Sequence, residues 1–419
     1  MTYLDRSTLD VLPVSAPLRG RAVPPGSKSI TNRALLVAAF AVGTSRLTGA
    51  LKSDDTIYMA EALRAMGIAV EEPDETTFVV TGKGLLQAPA EPLFLGNAGT
   101  ATRFLTAAAA CVDGSVIVDG DEHMRKRPIR PLVDALSSLG VDIEAPSNCP
   151  PVTIRGRGAF PSGRIEIDGG LSSQYVSALL MAAVCADGPV KVALTGNEIG
   201  ARGYIDLTLA VMRAFGATVE QVEEGVWRVQ PGSYRAADFH IEPDASAATY
   251  LWAAEILTGG KIDLGVAAPD FTQPDAKAHE LIAQFPNMPA VIDGSQMQDA
   301  VPTLAVLAAF NNNPVRFVGI ANLRVKECDR VNALSSNLSR IREGLGREEG
   351  DDLIVAGNPA LAGQRLPASI DTFADHRIAM SFALAGLKID GITIENPGCV
   401  AKTFPGYWDV MEKLGVRYG

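Results

Sequence analysis

Hydrophobic residues recur along the chain in one order: an apolar helix rich in small residues, a β-rich stretch, and a second helix closing on glycine. Small side chains let helices and sheets approach closely, so we expect the first helix of each copy in the interior. The pattern predicts this first helix at residues 33–43, 103–114, 176–188, 249–260, 302–313 and 377–391.

The second helix and the intervening strands follow the same repeat. Second helices are predicted at residues 60–67, 133–140, 209–216 and 410–415, with degenerate versions near 279–285 and 333–341. Strand-like runs lie at residues 45–51, 115–120, 190–196, 261–266, 315–320 and 391–397. Glycines 67, 140 and 216 are 73 and 76 residues apart, so the repeat is about 70 residues long.

Six copies, three in each half of the chain, predict a pair of similar α/β domains, each with three units around a local pseudo-threefold axis. A Pro/Gly/Ser-rich stretch at residues 230–239 suits a linker, and residues 13–26 suit a second crossing. We therefore predict domain 1 from residues 1–26 and 236–419, and domain 2 from residues 27–235. A cleft between two lobes is a usual place for a small-molecule site, so we expect the active site there.

Composition narrows the classes of function. The 419 residues carry a net charge of −11, which argues against nucleic-acid binding. The five cysteines form no C-x-x-C pair, the start of the chain has no apolar signal segment, and no apolar run reaches the length of a bilayer. We expect a monomeric, cytoplasmic protein without nucleic-acid or membrane partners.

Polar residues that could bind a ligand lie at the starts of four predicted helices. Residues 24–36, 95–105, 169–180 and 371–382 place Gly, Ser, Thr or Asn just before an apolar helix, where free N–H groups favour an anion. One such start is explained by N-capping, whereas four of them favour a shared anion site. Cations lie in polar loop-to-helix segments at or near these places: Lys28, Arg33, Arg127, Lys326, Arg330, Arg377 and Lys402. Surface charge, or simple ion pairing within 326–330, is the alternative explanation.

The sequence does not contain the common catalytic or nucleotide-binding motifs. The GSKS at residues 26–29 lacks the glycines of a phosphate-binding P-loop, and no G-x-S-x-G, H-E-x-x-H or G-x-G-x-x-G is present. The four histidines lie far apart without the spacing of metal ligands.

Taken together, the motifs resemble one family, the 3-phosphoshikimate 1-carboxyvinyltransferases, over residues 14–417. They are PGSKSITNRALLVAA, GNAGTATRFL, RPI at 127–129, SSQYVSALLMAA, KECDR, DHRIAM and AKTFPGYW, in the family's order. The resemblance implies two inside-out α/β-barrel domains, each of three copies, joined by a two-stranded hinge. It implies transfer of the enolpyruvyl group of phosphoenolpyruvate to the 5-hydroxyl of shikimate 3-phosphate, with phosphate released and no metal or organic cofactor.

The resemblance also implies roles for individual residues. The set expected to bind shikimate 3-phosphate is Lys28, Ser29, Arg33, Ser172, Ser173, Gln174, Asp299, Asn322 and Lys326. The set expected to bind phosphoenolpyruvate is Lys28, Asn97, Gly99, Arg127, Gln174, Arg330, Arg377 and Lys402. Asp299 matches the carboxylate that accepts the 5-hydroxyl proton. Whether Glu327, Lys28 or a relay involving His376 protonates the methylene carbon stays open.

The chemistry explains why these residue types are needed. Both substrates carry a carboxylate and a phosphate, and guanidinium groups suit the oxygens of both. A tetrahedral intermediate requires one group to take a proton and another to give one, which two carboxylates in different environments can share.

Two departures from the family pattern stand out. Ala201 and Arg202 replace a common Ser-Lys, and we expect Arg202 to compensate for the lost hydroxyl contact with the shikimate phosphate. Phe104 replaces a frequent proline close behind Gly99.

Two alternatives to this family are disfavoured by the sequence. The sister enzyme acting on UDP-N-acetylglucosamine uses a loop cysteine, which residues 121–129 lack. A non-catalytic anion-binding relative would lack the two carboxylates Asp299 and Glu327, which are present here.

Overall fold

The protein divides into two compact units in the computed structural model, which describes residues 2–170, 172–196 and 201–419. Unit 1 comprises residues 1–25 and 243–419, and unit 2 comprises residues 26–242. None of the described helices combines the length and apolarity required to cross a membrane.

Helices and strands alternate through both units. The α-helices of the described residues are α1 (Lys28–Phe40), α2 (Asp54–Ala65), α3 (Gly99–Ala108), α4 (Arg130–Ser138), α5 (Ser173–Ala183), α6 (Arg202–Ala214), α7 (Ala245–Thr258), α8 (Ala278–Ile282), α9 (Val301–Ala308), α10 (Arg330–Ile341), α11 (His376–Gly386) and α12 (Tyr407–Lys413). The strands are β1 (Thr8–Leu12), β2 (Arg19–Arg21), β3 (Val42–Thr48), β4 (Ala69–Asp74), β5 (Thr77–Lys83), β6 (Leu93–Phe94), β7 (Asp113–Asp119), β8 (Asp142–Glu144), β9 (Val152–Arg157), β10 (Gly163–Asp168), β11 (Val190–Thr195), β12 (Val219–Glu223), β13 (Val226–Val229), β14 (Phe239–His240), β15 (Lys261–Asp263), β16 (Val291–Asp293), β17 (Val315–Val318), β18 (Gly346–Glu349), β19 (Asp352–Val355), β20 (Arg365–Ile370), β21 (Asp390–Glu395) and β22 (Arg417–Tyr418).

The first helix of each copy is buried around most of its circumference. Helices α1, α3, α5, α7, α9 and α11 form the interior of their units, because their small and apolar residues leave no polar face for water. The six predicted first helices are therefore confirmed. The predicted starts are one to five residues late and the predicted ends two to six residues late. In α1, α3 and α5 the late start arises because polar residues ahead of the apolar run form the first helical turn.

The glycines that set the repeat length end the second helices of unit 2. Gly67, Gly140 and Gly216 follow α2, α4 and α6 with φ of +82°, +83° and +83°. This left-handed conformation is strained for residues with a Cβ, so glycine is the natural residue just after a helix end.

The sheets repeat one topology. In unit 2 the strand orders are β14-β3-β5-β4, β6-β7-β9-β8 and β10-β11-β13-β12, each with its first pair parallel and the other pairs antiparallel. Unit 1 has β16-β17-β19-β18 and β20-β21-β1-β22 in the same pattern, and the two-stranded β15-β2. The α/β fold class is confirmed, and the N-terminal strands β1 and β2 complete unit 1.

The boundary between the units near the predicted linker lies at residues 242 and 243, whereas the sequence pattern placed it at 235 and 236. The physical reason is that β14 pairs in parallel with β3, with Phe239 opposite Leu47 and His240 opposite Thr48. This pairing keeps residues 236–242 in unit 2.

Candidate functional site

Several of the residues predicted in unit 2 lie in the first turns of interior helices. Lys28 and Ser29 open α1, and the Oγ of Ser27 accepts a hydrogen bond from the Ile30 N–H. The Oγ of Ser172 accepts one from the Gln174 N–H, which caps α5 ahead of Ser173. Since the first N–H groups of a helix lack partners within the helix, these turns offer donors to an anion.

Helix α3 begins at Gly99, against which the guanidinium group of Arg127 packs. A Cβ added at Gly99 would lie 2.7 Å from Cζ of Arg127. The Nη1 of Arg127 donates to Asn97 at 3.1 Å (Oδ1) and 3.3 Å (carbonyl oxygen). The structure therefore joins three predicted residues, and only glycine allows the guanidinium group to lie this close to the helix start.

Gln174 connects α5 to the same helix start. Its Oε1 accepts a hydrogen bond of 2.7 Å from Arg103, and its Nε2 donates to Thr100 Oγ1 at 3.4 Å. Arg103 is a buried residue that the sequence analysis did not select. Its signal was present in the GNAGTATRFL motif, but nothing local in the sequence indicates its partner.

Arg33 lies in the interior of unit 2, with 1% of its surface exposed. Its Nε donates to Thr208 at 2.7 Å, its Nη1 to the Ser29 carbonyl at 2.8 Å and its Nη2 to Ser177 at 3.1 Å. Its Cζ lies 5.2 Å from the ring centre of Phe104. Burial lowers the pKa of Arg33 to about 10, so the group stays charged at neutral pH. In this arrangement Arg33 ties α1 to α5 and α6.

Lys28 forms a buried ion pair with Asp55, which sequence analysis missed. Their Nζ and Oδ2 atoms are 3.5 Å apart, and both side chains are buried. Asp55 belongs to the acidic first turn of α2, where a carboxylate also favours the positive end of the helix. Because this local role explains the aspartate by itself, the sequence does not indicate that Asp55 also pairs with Lys28.

In unit 1, one buried guanidinium group holds three carboxylates. Arg330 is 1% exposed and donates to Asp375 at 2.7 Å, to Asp299 at 3.0 Å and to Glu327 at 2.8 Å. Burial opposes the charge of Arg330, but the three carboxylates outweigh it and raise the pKa of Arg330 above its ordinary value.

Two more cations complete this cluster. The Nη2 of Arg377 lies 2.7 Å from Asp299 Oδ2, and the Nζ of Lys402 lies 2.9 Å from Glu327 Oε1. The five predicted residues Asp299, Glu327, Arg330, Arg377 and Lys402 are thus brought together. With Asp375 the cluster holds three cations and three carboxylates, so its charges balance.

Asp375 is the member of the cluster that sequence analysis missed. It caps α11, its Oδ1 accepts from the Arg377 N–H at 2.8 Å, and none of its surface is exposed. An aspartate at an N-cap is usually explained by capping alone. Only the fold shows that the same carboxylate also binds Arg330.

His376 is fully buried beside this cluster. Its Nδ1 lies 3.6 Å from Asp375 Oδ1, and neither ring nitrogen has a hydrogen-bond partner. Burial, with a contribution from the neighbouring Arg377, lowers the pKa of His376 well below 6.5, so the ring is neutral. A proton relay through His376 stays a prediction.

Asn322 and Lys326 lie on the segment that leads into Glu327. Asn322 belongs to the 3₁₀ helix Ala321–Val325, and Lys326 follows it. Arg324 anchors this segment by donating to Asp351 at 2.8 Å and to Asp329 at 2.9 Å. Among residues 2–170, 172–196 and 201–419, no group of three or more His, Cys, Asp or Glu side chains is arranged to hold a metal ion.

Repeated α/β units with buried cations and polar helix starts are typical of proteins that bind small anionic molecules, and here three carboxylates lie among the cations. The chain also matches the family model described as EPSP synthase (3-phosphoshikimate 1-carboxyvinyltransferase) over residues 13–411. It therefore belongs to the EPSP synthase family.

Similar proteins agree with this assignment. The chain is 72% identical to a 3-phosphoshikimate 1-carboxyvinyltransferase of Rhizobium leguminosarum bv. trifolii, with 98% of each chain covered. It is 71% identical to one of Pseudomonas syringae pv. syringae, again with 98% of each covered. Among solved structures, EPSP synthase from Acinetobacter baumannii is similar with a TM-score of 0.79 and 25% identity, covering 99% of this chain and 100% of the other.

Proposed function

We propose that the cation and carboxylate sets of the two units carry out the reaction of this family. The chain transfers the enolpyruvyl group of phosphoenolpyruvate to the 5-hydroxyl of shikimate 3-phosphate and releases phosphate, by addition and elimination through a tetrahedral intermediate. This is a step of aromatic amino acid biosynthesis. The observation that carries the proposal is the buried cluster in which Arg330, Arg377 and Lys402 hold Asp299 and Glu327.

Asp299 is the proposed acceptor of the hydroxyl proton. Two guanidinium groups contact its two oxygens at 3.0 Å and 2.7 Å, which stabilises the ionised carboxylate. A carboxylate that enters the reaction without its proton is able to accept one.

Glu327 is a candidate donor of the proton to the methylene carbon. It lies 2.8 Å from Arg330 and 2.9 Å from Lys402, and both cations stabilise its charged form. Bound substrate would add a carboxylate and a phosphate to a cluster whose charges already balance. The added negative charge disfavours the ionised form of the neighbouring carboxylates. Asp299 and Glu327 each contact two cations, so the choice of Glu327 rests on its match to the group proposed as donor in the family.

The remaining residues are proposed to bind the substrates. Ser29, Ser172 and Ser173 present hydroxyl and N–H donors at the starts of α1 and α5, which suits a phosphate or a ring hydroxyl. Asn322 and Lys326 serve the same substrate, Asn97, Gly99 and Arg127 serve phosphoenolpyruvate, and Gln174 serves both. A cytoplasmic location and a monomeric state stay predictions from the sequence.

Phosphate release tests the proposal. The purified chain should release inorganic phosphate only when both shikimate 3-phosphate and phosphoenolpyruvate are present. Asp299→Asn should remove most of this activity, while Arg164→Met, which alters an exposed pair with Glu166, should keep it. Phosphate release that needs only phosphoenolpyruvate, or that needs UDP-N-acetylglucosamine instead, would contradict the assignment.

A further inference from the structure

One buried arginine of unit 2 has no role in the reaction described above. Arg103 lies in α3 with 6% of its surface exposed. Its Nη1 donates to the Gln174 Oε1 at 2.7 Å and to the Gly99 carbonyl at 3.3 Å. One guanidinium group therefore links the first turns of α3 and α5, although Arg103 and Gln174 are 71 residues apart in the sequence.

The same guanidinium group connects to a third segment through an aromatic ring. Its Cζ lies 5.3 Å from the ring centre of Tyr175, and the Tyr175 hydroxyl donates to the Pro128 carbonyl at 2.6 Å. Pro128 directly follows Arg127, whose guanidinium group packs on Gly99. Arg103 thus contacts Gly99 and Gln174 directly, and it is linked to the segment that carries Arg127 through Tyr175 and Pro128.

These contacts also determine which way the Gln174 side-chain amide faces. A guanidinium group has only donors, so the atom of Gln174 that faces it must be the oxygen. The nitrogen is then directed to the other side, where it lies 3.4 Å from Thr100 Oγ1 in the first turn of α3. An anionic ligand offers only acceptors, so an amide held in this orientation presents it with a donor.

We infer that Arg103 is a positioning residue for phosphoenolpyruvate binding: it fixes the Gln174 amide with Nε2 as the donor and holds that donor in register with Gly99 and Arg127. The inference rests on the proposed function for the identity of the ligand. The arrangement of the amide rests only on the contacts of Arg103.

The first test removes the arginine. Arg103→Met deletes the donor to Gln174 and frees the amide to rotate, so the KM for phosphoenolpyruvate should rise about tenfold, as expected for the loss of one charge-assisted hydrogen bond. The KM for shikimate 3-phosphate should rise less, because Gly99 and Arg127 belong to the phosphoenolpyruvate set. Arg103→Lys keeps one donor and should restore part of the affinity. Arg164→Met, on an exposed arginine of the same unit, is the matched control.

The second test separates the donor role from packing. Gln174→Glu keeps an oxygen facing Arg103, so the melting temperature should hold, but it replaces the Nε2 donor with an acceptor. Its KM for phosphoenolpyruvate should rise at least as much as that of Gln174→Met. A Gln174→Glu enzyme with the wild-type KM, or an Arg103→Met enzyme with a lower melting temperature and unchanged KM, would overturn the inference.

A third measurement does not depend on activity. If Arg103 and Gln174 contact each other as described, the melting-temperature losses of Arg103→Met and Gln174→Met should not add in the double variant. Additive losses would refute the contact. Failure of the proposed function would show instead as a wild-type chain without phosphate release, and would leave this coupling unaffected.

Discussion

Replacing Gly99 with alanine tests how closely the Arg127 guanidinium group must approach the start of α3. The new Cβ would lie 2.7 Å from the Cζ, Nη1 and Nη2 atoms of Arg127. Ordinary van der Waals contact begins near 3.4 Å, so the guanidinium group must move by about 0.7 Å. The φ of Gly99 lies outside the left-handed region, so the backbone accepts alanine without strain.

Moving the Arg127 guanidinium group should weaken the binding of phosphoenolpyruvate. The Arg127 hydrogen bonds to Asn97 are already 3.1 Å and 3.3 Å long, and a shift of this size breaks at least one of them. Losing one hydrogen bond and misplacing a cation that binds the ligand costs about 1.4–2.8 kcal/mol, which is a rise of roughly 10- to 100-fold in KM for phosphoenolpyruvate. Binding of phosphonate analogues such as glyphosate should weaken as well.

Initial-rate kinetics with each substrate varied in turn, together with thermal unfolding, would measure this effect. The melting temperature should change little, because the gain in helix propensity from alanine and the loss of an Arg127 hydrogen bond are of similar size and opposite sign. Gly232→Ala is the matched control, since a Cβ there meets no atom within 4 Å. An unchanged KM for phosphoenolpyruvate in Gly99→Ala, or an equal rise in Gly232→Ala, would refute the steric argument.

Three further variants test the charged groups. Arg330→Met leaves three carboxylates without their shared buried cation. Urea denaturation should therefore show a loss of about 3–5 kcal/mol in the free energy of unfolding. A loss below about 1 kcal/mol would contradict the described contacts of Arg330. Burial lowers the pKa of His376 well below 6.5. The contribution of the neutral ring to stability is therefore full above pH 6.5 and is lost as the pH falls toward the folded-state pKa. The free energy of unfolding should fall by up to about 1.4 kcal/mol per pH unit in that range. Denaturation at several pH values should show that His376→Gln removes this part of the pH dependence while His123→Gln, on a half-exposed side chain, does not. Arg202→Ala should raise the KM for shikimate 3-phosphate more than the KM for phosphoenolpyruvate. The melting temperature should change little, because the 3.5 Å ion pair of Arg202 with Glu224 is exposed. An equal rise in KM for both substrates would argue against a phosphate contact.

Much of the fold could be predicted because its signals are local. Small and apolar residues identified the six interior helices, and each of the six strand-like runs overlaps a strand of the structure. Gly67, Gly140 and Gly216 marked the helix ends, because a left-handed residue there favours glycine whatever the rest of the chain does. Order and spacing of the motifs also indicated the family. Helix starts were harder to place, since Ser, Thr and Asn suit both a loop and a first helical turn.

Only the tertiary structure decided which charges meet. Arg330 and Asp375 are 45 residues apart, and Arg103 and Gln174 are 71 apart, yet each pair forms a hydrogen bond of 2.7 Å. A sequence shows that a buried arginine needs acceptors but not which ones, because the partner depends on how separate copies of the repeat pack together. The same dependence left β15 and β2 as a two-stranded sheet, whereas the other five sheets of the described residues have four strands each. Local propensity determined the elements, and long-range packing determined the electrostatic environment of the site.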